Sequence, residues 1–486
     1  MPIKILSNVR RGLRPLVFSN LFFLYIFLPA NIILYFAAPS IRVKNAIMVC
    51  FSLFFYAWGE PVWVFLLIAT AFVNWLLALH IKKHLEDPER RKARCALVAA
   101  VVLDLSLLVL FKYTGFLYEN VNALFGTSFA GPGLVLPIGI SFYTFQIISY
   151  MADVYRRDVE AQPSFVKFLM YVTMYHQLVA GPIVRYQWIA QEIDHRKSDP
   201  AEVWGGLCRF CVGLCKKVVV ANAAGKLAGQ YLDGDLARLT TAGAFFGILM
   251  FTLQIYYDFS AYSDMAIGMG RIFGFHYMEN FNYPYIARSV TGFWRRWHIS
   301  LSSFFRDYVY IPLGGKYRHQ LRNICVVWLL TGLWHGASWN FVLWGAWYGA
   351  LLILEKTVLL RWLERLPAFA GWLWSTLAVL VGWSIFYFVD FGRLLQFLPI
   401  LFGGRLAPDP GLWVTIQNQL FWLLLSLAFC APILPGLKNL AARYADGEGK
   451  QAGVVLLQAV CCLLLVMVST AYLVGQSYNP FLYFRF

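Results

Sequence analysis

Charge is what this 486-residue sequence has least of. Only 14% of its residues are Asp, Glu, Lys or Arg, against about 25% in a soluble domain. From Asn323 to Leu354 there is none. A water-facing surface cannot be built from so little charge, so a soluble globular fold is excluded. The motifs of soluble nucleotide and metal enzymes are absent too: no GxxxxGK(S/T) loop, no GxSxG elbow, no HExxH and no GxGxxG after a strand. That disfavours nucleotide hydrolysis and a metal site. Nine cysteines lie scattered, several of them inside apolar runs, which is not the pattern of a secreted disulfide framework. Cys208, Cys211 and Cys215 share one helical face, but a thiolate metal site needs more ligands, and membrane helices use cysteine as a small packing residue.

What is present is apolar: 60% hydrophobic and 18% aromatic residues, with a mean hydropathy of +0.60. This composition predicts an all-α integral membrane protein, with residues 1–486 forming a single polytopic membrane domain. Runs long enough for one crossing of about 20 residues fall near 16–38, 60–80, 95–111, 165–181, 203–224, 241–257, 371–389, 412–434 and 453–475, with a shorter one at 45–58. The run from 323 to 354 is too long for one straight crossing and reads as a helix pair or a broken helix. The expectation is ten to twelve transmembrane helices, with re-entrant or interfacial helices around a central cavity. The net charge of +16 comes in short clusters between apolar runs, which argues for bilayer topology and against a nucleic-acid partner. Lys82, Lys83, Arg90, Arg91, Lys92 and Arg94 place one loop in the cytoplasm. Arg156/Arg157, Lys216/Lys217 and Arg361/Arg365 read as further cytoplasmic turns. The basic N-terminus, with Lys4, Arg10, Arg11 and Arg14, competes with the 82–94 loop for the inside, because three runs separate them. The denser loop prevails in this reading, and the N-terminus goes outside as an uncleaved anchor.

Ionisable groups at membrane depth are costly and mark cavities or active sites by default. His335, in LLTGLWHGASWNF, is the clearest. Gly332 and Gly336 beside it permit a turn or a close approach. A neutral core imidazole tied to Thr331, Ser338 or Asn340 is one reading; a general base that removes a proton from a hydroxyl is the other. SVTGFWRRWHISLSSFFRDYVYIPLGG, residues 289–315, reads as an interfacial helix from about 293. In it His298 aligns with Trp294, Leu301 and Phe305, and Arg295, Arg296 and Arg306 lie elsewhere. Those arginines suit headgroup contact or an anion clamp for a phosphorylated donor, to which Arg185 near a Gly-Pro turn adds. Asp258 and Asp264 sit six apart on different helix faces, which fits a structural partner of an arginine better than paired-carboxylate catalysis. His176, beside the Gly-Pro turn, begins another polar patch.

Six stretches carry a resemblance: VLPIGISFYTFQIISYMADVYR (135–156), LVAGPIVRY (178–186), YYDFSAYSDMAIGMG (256–270), MENFNYPYI (278–286), FWRRWHISLSSFFRDYVYIPLGG (293–315) and GLWHGASWNFVLWGAWYG (332–349). Together they resemble the membrane-bound O-acyltransferase family, and most closely the bacterial branch typified by the alginate O-acetylation membrane component, with the motif-bearing core at about 135–355. The resemblance implies an acyltransferase of the bacterial cytoplasmic (inner) membrane with a central cavity, in which His335 is catalytic and His298 holds the second polar position. It also implies an acetyl donor from the cytoplasm, acetyl-CoA, with no permanently bound cofactor. The acceptor would be an extracytoplasmic polysaccharide of the alginate, cellulose or peptidoglycan type, and a periplasmic or extracellular acetyltransferase partner protein would complete the transfer. Where relatives often read WGAWHG this chain has Tyr348. On that reading Arg295, Arg296, Arg306 and Arg185 would draw in the anionic donor, Asp258, Asp264, Ser338 and Asn340 would line the cavity, and Trp334, Trp339 and Trp344 would exclude water. A transporter or flippase without bond chemistry, and a noncatalytic scaffold, are the competing classes.

Overall fold

The computed structural model describes residues 16–179, 181–433, 435–437 and 448–475, so the basic N-terminal residues Lys4, Arg10, Arg11 and Arg14 lie outside the described residues. Among the described residues every regular element is helical. Eight helices are long and apolar enough to cross a membrane: Ile41–Gly59, Trp63–Lys83, Arg91–Phe125, Thr241–Ile272, Trp339–Leu363, Ala368–Tyr387, Pro410–Ala428 and Gln451–Gly475. Two shorter apolar helices, Phe23–Ala37 and Phe391–Gly404, bring the total to the lower edge of the expected ten to twelve.

Contacts gather the chain into two compact units. The first takes the residues up to Phe210 together with Met265–Met278, and the second takes Cys211–Asp264 together with the chain from Glu279 onward. In the first unit, buried polar side chains join helices whose apolar faces meet. Asn74 donates to Asp104 across 2.9 Å, and Arg196 Nε donates to the Tyr35 hydroxyl at 2.7 Å, which itself donates to the Phe273 carbonyl. The run at 165–181 is not among the eight long helices. Phe165–Thr173 halts at Met174, whose φ of −46° and ψ of 114° leave the helical region, and resumes only as Tyr175–Leu178. From Phe168 to Val179 the residues are all buried, so this segment packs inside the protein instead of facing lipid.

The second unit holds a helical hairpin, Gln320–His335 and Trp339–Leu354, in place of the long uncharged run. Its two helices meet backbone to backbone. A Cβ on Gly332 would strike the Phe341 carbonyl oxygen, and one on Gly345 would strike the carbonyl oxygen of Trp328. The Gly345/Gly349 pair therefore does what its spacing suggests, allowing close helix approach. Ala368–Tyr387 packs beside the hairpin, where Trp347 Nε1 donates to the Ala378 carbonyl at 3.1 Å.

Two expectations from charge and periodicity give way. Lys216 and Lys217 are not a cytoplasmic turn. They open a π-helical segment, Lys216–Ala221, inside continuous helix, and Lys217 is 4% exposed. Each is neutralised by an aspartate, Lys217 by Asp258 at 2.6 Å and Lys216 by Asp264 at 2.7 Å, so the pair exerts no positive-inside pull. The helix expected from about 293 is also broken: Val290–Trp294 ends, Arg295–His298 turn, and Ile299–Phe305 begins afresh.

Candidate active site

His335 is the last residue of Gln320–His335, where the chain must leave the helix to turn through Gly336–Ser338. Gly336 is extended, at φ −174°, and its missing side chain makes room for the Phe341 ring. The His335 ring is partly exposed and is walled by Trp344, Trp334 and Phe386, with ring centroids 4.8, 5.0 and 5.4 Å away and interplanar angles of 74–81°. Two of the local candidates for tying it down, Thr331 and Asn340, have other partners. The Thr331 hydroxyl donates to the Val327 carbonyl at 2.7 Å, and the Asn340 amide donates to the carbonyls of Ile385 and Phe386. Ser338 is the residue before Trp339–Leu354 and is half-buried. Trp334 and Trp344 are buried beside the imidazole, whereas Trp339 is 57% exposed and departs from the expected wall.

His298 occupies the break between two short helices. Its backbone is left-handed, φ 44° and ψ 55°, a conformation that costs an L residue about 1–2 kcal/mol. The helical alignment with Leu301 and Phe305 therefore does not bury it; its own contacts do. Phe259 and Trp334 pack edge-on at 4.6 and 5.9 Å, and Phe281 lies parallel at 6.5 Å. Burial holds its imidazole well below the ordinary histidine range, and the neighbouring His335 adds to the effect. His298 is therefore neutral across physiological pH.

Around His298 lies a polar cluster centred on Asn280, which is 1% exposed. The Asn280 carboxamide oxygen receives Ser300 Oγ at 2.9 Å, the Ser300 backbone N–H at 3.1 Å and His298 Nδ1 at 3.2 Å. Its Nδ2 donates to Ser263 Oγ at 3.1 Å, and its carbonyl accepts the Ile299 N–H at 3.0 Å. Sequence reasoning named the stretch MENFNYPYI but passed over Asn280, which reads as an ordinary loop residue. No local signal distinguishes it, because its partners lie 17 to 20 positions away.

The other expected residues are placed as follows. Asp258 and Asp264 have the structural partners foreseen for them, but those are lysines instead of arginines. Arg295 is exposed and Arg296 half-buried, with Arg296 Nη1 donating to the Asn282 carbonyl at 3.0 Å. The Arg306 fork grips Asp307 through two bonds of 2.6 and 3.0 Å. Arg185 belongs to the first unit, where its guanidinium lies 5.1 Å from the Trp188 ring. His176 is fully buried in that unit, and its Nδ1 is 2.7 Å from the Tyr277 hydroxyl. Tyr348 is fully buried, with its hydroxyl over Gly382 and no hydrogen-bond partner among the described residues. None of the nine cysteines, all of them among the described residues, forms a disulfide.

Residues 155–392 match the membrane-bound O-acyltransferase family. The chain is 37% identical to "Probable alginate O-acetylase" of Azotobacter vinelandii, across 97% of this chain and 100% of that one. It is 29% identical to "Peptidoglycan O-acetyltransferase" of Helicobacter pylori, across 97% and 98% respectively. Likeness extends to "Teichoic acid D-alanyltransferase" of Bacillus subtilis at 26% identity, over 53% of this chain and 68% of that protein. The end-to-end match at 37% identity, joined to eight membrane-length helices, makes this chain a multi-pass O-acyltransferase belonging to the membrane-bound O-acyltransferase family.

Proposed function

We propose that this enzyme takes acetyl from acetyl-CoA at the cytoplasmic face of the bacterial inner membrane and passes it toward hydroxyls of an extracytoplasmic polysaccharide, with His335 as the general base. The observation that carries this reading is the setting of His335: a partly exposed imidazole at a helix end, walled by Trp334, Trp344 and Phe386, in the same unit as a second, buried histidine. Acyl transfer to a hydroxyl needs a base within hydrogen-bond reach and walls that keep water from the thioester. His335 accepts the proton as the hydroxyl oxygen attacks the thioester carbonyl carbon. The C–S bond then breaks, and the imidazolium returns its proton to the departing thiolate. Acetyl is preferred over D-alanyl because the relatives named alginate O-acetylases share 35–40% identity with this chain, against 26% for the D-alanyltransferases. Alginate is the first acceptor to test, and a periplasmic or extracellular partner completing the transfer fits an acceptor outside the cell. The exposed Arg295 and the half-buried Arg296 are the donor-side cations of choice, since Arg306 already holds a carboxylate.

The test is transfer of labelled acetyl from acetyl-CoA by purified protein in lipid. His335→Ala is expected to fold and insert normally yet lose at least 100-fold in rate, the scale of a general base, and His298→Ala to lose a comparable factor. Wild-type turnover by His335→Ala would remove the base assignment, and transport of donor without turnover would remove the chemistry.

A further inference from the structure

The Asn280 cluster fixes more than the position of His298. A backbone N–H only donates, so the amide atom facing Ser300 N–H at 3.1 Å must be the oxygen of Asn280, with Nδ2 turned to Ser263 Oγ. That settles which way the carboxamide points, a choice usually left to the surrounding network. A carboxamide oxygen carries no proton. The approach of His298 Nδ1 to it at 3.2 Å is therefore attractive only if Nδ1 brings one. A bare Nδ1 would set lone pair against lone pair. Ser300 Oγ offers no escape, because it lies farther from Nδ1, at 3.4 Å, and directs its single proton to Asn280 at 2.9 Å. In a neutral imidazole a proton on Nδ1 leaves Nε2 with a free lone pair.

We infer that Asn280 is a positioning residue that holds His298 as its Nδ1–H tautomer, so that Nε2 serves acyl transfer only as a hydrogen-bond and proton acceptor. This deepens the acyl-transfer reading and rests on it. Neutral His298 then has no proton with which to polarise the thioester carbonyl or hold an oxyanion. It receives a hydrogen bond, from the attacking hydroxyl or from the ring N–H of His335, and so belongs to the proton-accepting side of the reaction. The left-handed backbone at His298 fits this role, because strain persists where the surroundings over-determine it. Here Asn280 holds both ends, its carbonyl taking the Ile299 N–H and its side chain the imidazole.

The experiment is nitrogen NMR of the full chain in lipid nanodiscs, labelled with ¹⁵N-histidine and with the His298 signals identified by their loss in His298→Gln. The expected spectrum has a protonated Nδ1 and an unprotonated Nε2. A protonated Nε2 overturns the inference whatever the activity. Kinetics supply the second arm. Asn280→Asp keeps an acceptor for Nδ1–H but adds a negative charge, which raises the imidazole pKa. Asn280→Asp is therefore expected to keep kcat close to wild type on the alkaline side, where the imidazole is uncharged. Asn280→Leu, which has no acceptor, is expected to lose kcat at every pH with KM nearly unchanged. Asn280→Asp as slow as Asn280→Leu at alkaline pH overturns the inference. An active His335→Ala would sink the base assignment yet leave the tautomer readout intact, so the two failures are distinguishable.

Discussion

At the residue scale, the membrane-buried charges separate into reactive and structural groups. Lys217 and Asp258 form an ion pair of 2.6 Å with side chains 5% and 3% exposed. Removing one partner of such a pair strands the other charge and costs about 3–5 kcal/mol, whereas replacing both by apolar groups is often neutral or stabilising. Lys217→Met is therefore expected to lower the thermal midpoint of the detergent-solubilised enzyme by several degrees, and Lys217→Met with Asp258→Leu to restore it. A silent single variant would mean that the two groups are not both charged. The sequence shows these residues but not their pairing, because Lys217 and Asp258 lie on separate helices and no local spacing links them. The two histidines were legible for the opposite reason. His335 stands in a run free of charge, so the cost of its presence shows against its neighbours alone. Asn280 is costly only once it is buried, and burial is a property of the fold.

At the scale of elements, the hairpin from Gln320 to Leu354 delivers His335. Its helices are held together by absences: Gly332 against the Phe341 carbonyl, and Gly345 against the Trp328 carbonyl. Gly345→Ala is expected to wedge the hairpin open, at about 1–3 kcal/mol for one methyl group forced into a packed interface, and to shift His335 from its walls. Transfer rate should fall more steeply than the amount of folded protein, measured as acetyl transfer per molecule recovered by size-exclusion chromatography. Gly349→Ala, whose Cβ meets only the Trp328 side chain at 3.3 Å, should be milder, and equal losses in the two would argue against the backbone contact. The hairpin was readable from the run length and from Gly336 beside His335. The break at Arg295–His298 was not, since Trp294, Leu301 and Phe305 satisfy helical spacing on paper. A buried clamp holds the segment before it: the Glu355 carboxylate accepts the N–H groups of Val290 and Thr291 at 2.6 and 2.8 Å, the Thr291 hydroxyl at 2.7 Å and Trp374 Nε1 at 2.9 Å. Those bonds anchor the N-terminus of Val290–Trp294, and Asn280 anchors the residues after it.

At the scale of the whole molecule, composition announces the bilayer, and the helices carry the consequence. Gln451–Gly475 has only 6% of its apolar window buried inside the protein, a surface that suits lipid and nothing aqueous. Orientation is the finer matter. Helix Arg91–Phe125 has 35 residues, or about 52 Å at about 1.5 Å each, well beyond an apolar core of about 30 Å. A single crossing would leave it projecting past the bilayer; Lys112 and Glu119 lie in its later half, which a left-handed Gly126 closes. The basic loop at its start faces the cytoplasm if the positive-inside tendency governs, which sets the turn after Phe125 outside. Three apolar helices, Phe23–Ala37, Ile41–Gly59 and Trp63–Lys83, precede that loop, and if each crosses, the first of them starts outside. Single cysteines at the exposed positions Glu89 and Ser128 test the arrangement against the labelling background of the parent chain. A membrane-impermeant maleimide added to intact spheroplasts is expected to modify Ser128→Cys at once and Glu89→Cys only after the membrane is opened. The reverse pattern would put the basic 82–94 loop outside the cytoplasm, and equal labelling of both would mean that the helix does not cross.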